Sequence, residues 1–222
     1  MDLSKYIEIL SWIIPIELTF GLIIGIYLFP FLTKHYKSVF IYLNICLITD
    51  ISSRIVGEIH GSNLYMYIIF SLIELVFFIT YIQRYYLKRY NYIWIFGTIL
   101  TAIYIGYELV ALSQVNDYEF QTYSKTICYF VALGITLDYL FIKLKKKQFS
   151  IDTIKYFSLF ILYLSINILL FLPFNFLINV PSPVKFYFWL FYLIITFIFY
   201  GFLIIEIWKN GMRPKQLQHG LQ

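Results

Sequence analysis

Charge is scarce in this chain. Only 13% of its residues are Asp, Glu, Lys or Arg, about half of what a soluble domain needs to cover its surface. Such a chain cannot keep most of its surface in water. Cysteine is nearly absent, and Cys46 and Cys128 both sit in apolar runs without a CxxC motif. They read as small buried apolar side chains, and disulfide use cannot be inferred from them. Histidine is equally rare: His35, His60 and His219 fall in connections or the tail, on both sides of the apolar segments. They cannot converge on one zinc ion, so a histidine-based metallohydrolase is not expected. GxSxG, HExxH and P-loop motifs are missing too, and no cofactor or metal is expected.

What the chain has instead is long apolar runs. Hydrophobic residues make up 61% of it and aromatic residues 22%, and about 20 apolar residues span the hydrocarbon core of a bilayer. Seven segments qualify, over 12–32, 39–58, 64–84, 92–112, 124–144, 154–178 and 186–208. Short connections join them ("HGSN", "SQVNDYEFQ", "NVPSPVK"), with a tail over 209–222. The opening "MDLSKYIEILSWIIP" has no basic leading region and no small-residue cleavage site, so it is expected to enter the first transmembrane helix. The expected fold is all-α, an integral membrane bundle of seven transmembrane helices forming a single domain.

Basic residues orient the bundle, because basic connections stay cytoplasmic. Lys34 and Lys37, then Arg84, Lys88 and Arg89, then Lys143, Lys145, Lys146, Lys147 and Lys155, then Lys209, Arg213 and Lys215 all fall on one side. The opposite side holds Lys5, Lys125 and Lys185 with Asp117 and Glu119. The amino terminus is therefore expected outside and the carboxyl terminus in the cytoplasm, in a multi-pass cell membrane (cytoplasmic or inner) protein. The run "KLKKK" lies against anionic headgroups, each Lys contributing about 1 kcal/mol near the surface. No groove-reading or stacking module accompanies it, so nucleic acid is not an expected partner.

Acids inside the segments carry the functional signal. Glu17, Asp50, Glu58, Glu74, Glu108, Asp138 and Glu206 occupy every segment but the sixth. Each costs roughly 2.5–3.5 kcal/mol even on a permissive insertion scale, so such residues face protein or a wet cavity. At about 1.5 Å per residue, Glu17, Arg54 and Glu108 lie within about 5–9 Å of the outer boundary, and Asp50 and Glu74 about 12–15 Å deep. Asp50, Arg54 and Glu58 recur every four residues and share one helix face. Arg54 is placed to pair with both acids, as a structural ladder or as a grip on an anionic ligand. Tyr67, Ser71, Glu74 and Tyr81 form a stripe on the third segment, and Gly97, Thr101, Tyr104 and Glu108 one on the fourth. The sixth offers Asn167, then Pro173, which removes a backbone hydrogen bond. One Arg cannot pair acids from four helices, so the excess is expected to be protonated, hydrated or occupied by a cation.

The leading expectation is a receptor or transducer. It would hold a small polar or charged ligand in an outward pocket of Glu17, Asp50, Arg54, Glu74, Tyr104, Glu108 and Asn167, and act through a cytoplasmic protein partner on the basic face. The alternatives are a proton- or cation-coupled transporter or channel, with Asp50, Glu74 and Asp138 as its path, and a lipid-modifying enzyme using two carboxylates as acid and base. Catalytic residues are not identifiable. Gly21 and Gly25 form a GxxxG pair, suited to packing inside the bundle and, as the lesser reading, to homo-oligomer formation. A retinal Schiff base would need a lysine midway along the seventh segment, where there is none. Two-repeat carriers with a PQ loop would need proline in the fifth segment and a PQ pair after it, and both are missing.

Overall fold

The computed structural model describes residues 6, 9–83, 91–113, 122–145, 151–172 and 182–219. Lys5, Arg84, Lys88, Arg89, Asp117, Glu119, Lys146, Lys147 and Pro173 lie outside the described residues, as do the side chains of Lys155, Lys185 and Lys215. Among the described residues all regular structure is helical. The long helices are α1 (Ile13–Leu28), α2 (Lys34–His60), α3 (Leu64–Tyr81), α4 (Tyr92–Leu112), α5 (Ser124–Lys145), α6 (Ile151–Phe171) and α7 (Ser182–His219), with a 3₁₀ turn at Phe29–Phe31. Six helical stretches are long and apolar enough to cross a membrane, and α6 contributes a shorter apolar stretch, Tyr156–Phe171.

Local chemistry sets the breaks. Pro15 has no N–H for the carbonyl four residues back, and the chain turns at Trp12 before α1 begins. Pro30 enters the 3₁₀ turn that ends α1. Gly61 stops α2 with φ at 74° while its N–H bonds the Gly57 carbonyl at 2.9 Å, the left-handed cap that glycine adopts without a Cβ penalty. Asn91 caps α4 by accepting from the Ile93 N–H. α2 and α7 outrun the apolar segments read from sequence at both ends. Lys34 and Lys37 lie inside α2, and α7 continues past Trp208 to His219 with Pro214 inside it.

The chain divides into two units, with the boundary inside α2 after Ser52. The first comprises residues 1–52 and 186–222. Here the GxxxG pair serves internal packing: Gly25 lies under the ring of Phe40, and a Cβ on Gly21 would stand 2.8 Å from the Ile204 side chain. Both glycines face side chains of their own chain. The second unit comprises residues 53–185, with α5 packed on α6, α3 on α4 and α5, and α4 on α5.

Polarity is reversed relative to a water-soluble domain. Phe96, Ile103 and Val110, spaced by seven on α4, are exposed, as are Leu162 and Leu169 on α6. Ser71, Glu74, Thr101, Glu108, Lys125, Thr136 and Asn167 are buried. Apolar stripes outside and polar groups inside are the arrangement that lipid rather than water stabilises.

Candidate functional site

Three polar clusters are built inside the second unit, each around an acid anticipated from sequence. The deepest centres on Glu74 of α3, which is 0% exposed. Lys125, in the first turn of α5, is 3% exposed and brings its Nζ to 2.5 Å from Glu74 Oε2. Tyr129, one turn further along α5, donates its hydroxyl to the same oxygen at 3.1 Å. A buried cation beside this acid compensates its charge, the condition under which a carboxylate tolerates burial.

Lys125, the basic residue at the start of the fifth segment, is buried rather than exposed at that end. The ammonium lies 4.3 Å from the ring centre of Phe70, 5.3 Å from Tyr129, 5.4 Å from Tyr67 and 6.0 Å from Phe171. Cation–π contacts of this kind are strongest where the cation is desolvated. The legible signal was the stripe Tyr67, Ser71, Glu74 and Tyr81 on α3, which supplies one of these rings and the carboxylate; Phe70, beside it, was not part of that reading. What it lacked was any indication of the helix that brings the cation.

Asn167 of α6 belongs to the same neighbourhood. Tyr163 and Phe171, one turn on either side of it, both pack their rings against Tyr129 with centroids 6.1 Å apart. Asn167 is 0% exposed; its Nδ2 donates to the Tyr163 carbonyl at 2.7 Å, and its Oδ1 is buried with no donor among the described residues. A buried acceptor without a partner is costly and calls for a donor. Thr126 Oγ1, next to Lys125 in sequence, is likewise buried without a partner among the described residues.

The second cluster ties down Glu108 near the end of α4. Its carboxylate accepts from Thr122 Oγ1 at 2.6 Å, Tyr123 N at 2.8 Å, Ser124 N at 3.3 Å and Ser124 Oγ. Tyr104, one turn earlier, also interacts with it. An anion held by N–H groups at the start of α5 satisfies orphan donors and complements the helix dipole. Glu108, read from sequence as pocket lining, is thus engaged as a cap, and the neighbours Ser124 and Lys125 hold two different acids.

Asp138 is the centre of the third cluster. It accepts from Trp94 Nε1 at 3.0 Å and Asn91 Nδ2 at 3.4 Å. Gly134, one turn before Asp138, makes room for the Trp94 ring. Asp138 therefore anchors the first turn of α4 and orients the Asn91 cap.

Of the remaining anticipated residues, Asp50 and Arg54 are half-buried on successive turns of α2, and Glu58 beyond them is exposed. Glu17 lies in the first unit, its Oε1 close to Gly201 and its Oε2 buried with no hydrogen-bond partner among the described residues. A groove there, lined by Trp12, Pro15, Thr19, Phe20, Leu47 and Ile51, is apolar because the Thr19 hydroxyl donates to the Pro15 carbonyl. Among the described residues no group of three or more His, Cys, Asp or Glu side chains could hold a metal ion. No family model matches the chain, and neither does any curated protein or solved structure.

Proposed function

We propose that this chain is a seven-helix membrane protein, amino terminus outside, of receptor or transducer type. Its ligand is a small polar or charged molecule rich in hydrogen-bond donors, bound in the outer half around Glu74, Lys125, Tyr129 and Asn167. The observation that carries this reading is the fully buried Asn167 Oδ1, which has no donor among the described residues, beside a lysine–carboxylate pair boxed by aromatic rings. A ligand N–H or O–H would satisfy the Asn167 acceptor. A charged ligand group would exchange with one member of the pair without leaving the other uncompensated, the condition that makes burial of charge tolerable. Output would pass through a separate protein on the basic cytoplasmic face.

The test is a panel of amines, amino acids and monovalent cations added to purified protein, read as a rise in melting temperature. Stabilisation by one class, lost in both Asn167→Leu and Glu74→Gln, supports the reading. If no compound stabilises the protein while reconstituted vesicles pass protons or cations in a Glu74-dependent manner, the transporter reading replaces it.

A further inference from the structure

The first unit carries a basic cluster that its topology role does not require. Lys34 and Lys37 lie on the first turn of α2, and Lys209 and Arg213 lie one turn apart on α7. These two stretches are far apart in sequence but held together in space. The Thr33 N–H, adjacent to Lys34, donates to Asn210 Oδ1 at 3.3 Å, and Asn210 lies between Lys209 and Arg213. The absence of a side chain at Gly211 lets Leu28 approach, since a Cβ there would stand 2.7 Å from Leu28 Cβ. Tyr36 of α2 donates to Glu206 of α7 at 3.3 Å, a second clasp.

Charge is not balanced within this junction. Glu206 is the one acid on either stretch, and it is shared between Tyr36 and Lys209, the latter at 3.2 Å. Lys37 lies over the ring of Phe29 at 4.7 Å. Among the described residues no acid pairs with Lys34 or Arg213, and both are exposed. Trp208, Phe29 and Tyr27 flank the cluster and are also exposed, the amphipathic rings found at headgroup level.

We propose that this junction is a binding site for the phosphate headgroup of an anionic lipid in the cytoplasmic leaflet. Orientation by positive charge needs only the number of basic residues in a connection. Two clasps that bring basic groups from different helices to one place serve a localised anion. A lipid phosphate is the anion present where an apolar helix leaves the membrane. The site goes beyond the ligand reading above and depends only on the inward orientation of the Trp208 end, which cysteine labelling reports separately.

The experiment measures binding of phosphatidylglycerol to the purified protein in detergent by native mass spectrometry and by melting temperature. Phosphatidylcholine and soluble glycerol phosphate are the comparison probes. Phosphatidylglycerol alone is expected to remain bound and to stabilise the protein. Removing two basic groups with Lys34→Gln and Arg213→Gln should weaken its binding on the order of 30-fold. Lys143→Gln with Lys145→Gln, basic residues of α5 outside this unit, should leave binding unchanged. Where the first pair does not fold, the charge-keeping Lys34→Arg with Arg213→Lys must bind as the wild type does, and raising the salt must release the lipid. Equal binding of phosphatidylcholine overturns the site, as does phosphatidylglycerol binding that survives the first pair or falls equally with the second. Equal stabilisation by glycerol phosphate would assign the cluster to a soluble anion and overturn the lipid.

Discussion

The Nζ of Lys125 and the Oε2 of Glu74 lie 2.5 Å apart with almost no exposure of either side chain. Each charge exists at that depth because of the other, and the surrounding rings add to the hold on the ammonium. Removing one partner leaves an uncompensated buried charge, whereas removing both leaves an apolar core. Lys125→Met is therefore expected to destabilise the protein by about 3–5 kcal/mol, and Lys125→Met combined with Glu74→Leu to recover most of that loss. Melting curves in detergent for the two single variants and the double variant decide it. A double variant as unstable as the sum of the singles would show that the two charges do not depend on each other.

Glu108 holds the start of α5 through four donors. Glu108→Gln keeps the shape but turns an N–H toward the other N–H groups, so the expected cost is about 1–3 kcal/mol. The loss should be local. Amide hydrogen exchange at Tyr123 and Ser124 should accelerate more than exchange in the middle of α5, and uniform acceleration would argue against the cap.

Trp94 brings the far end of its six-membered ring against Gly134 and donates to Asp138. Gly134→Ala pushes a methyl group into the ring, an overpacking change of about 1–3 kcal/mol. Combining it with Trp94→Leu should restore most of the stability, because the smaller side chain vacates the slot. An Ala variant as stable as wild type, read by thermal unfolding, would mean that Trp94 repacks freely.

The proposed orientation is tested by labelling the two ends independently. Cys46 and Cys128 are buried, so a membrane-impermeant maleimide is expected to leave the native protein unmodified in intact cells. His60→Cys, at the exposed end of α2, should label from outside, and Lys209→Cys only after the membrane is opened. The opposite pattern would invert the orientation and move the basic junction to the outer leaflet.

Much of the architecture was legible in the sequence. An apolar medium leaves the backbone no partner but itself, so long apolar runs become helices whatever their tertiary neighbours. Pro30 and Gly61 end α1 and α2 through constraints that belong to single residues. The limits were at the ends. Lys34 and His219 continue helices beyond the apolar windows, because helical hydrogen bonding does not stop where hydrophobicity does.

The acids were equally visible, and Glu74 and Asn167 share one aromatic neighbourhood. Their partners were not visible. Lys125, counted on the outer side, is buried against Glu74, and Thr122, Tyr123 and Ser124 carry no spacing that announces a grip on Glu108. The sequence by itself determined which residues are helical and which charges are too costly to leave facing lipid, since period and hydropathy are properties of one segment. Only the tertiary structure decided which donor meets which acid. Helical periodicity orders side chains around one axis, but it says nothing of how that axis is rotated toward the next helix, and a buried charge is settled by that rotation.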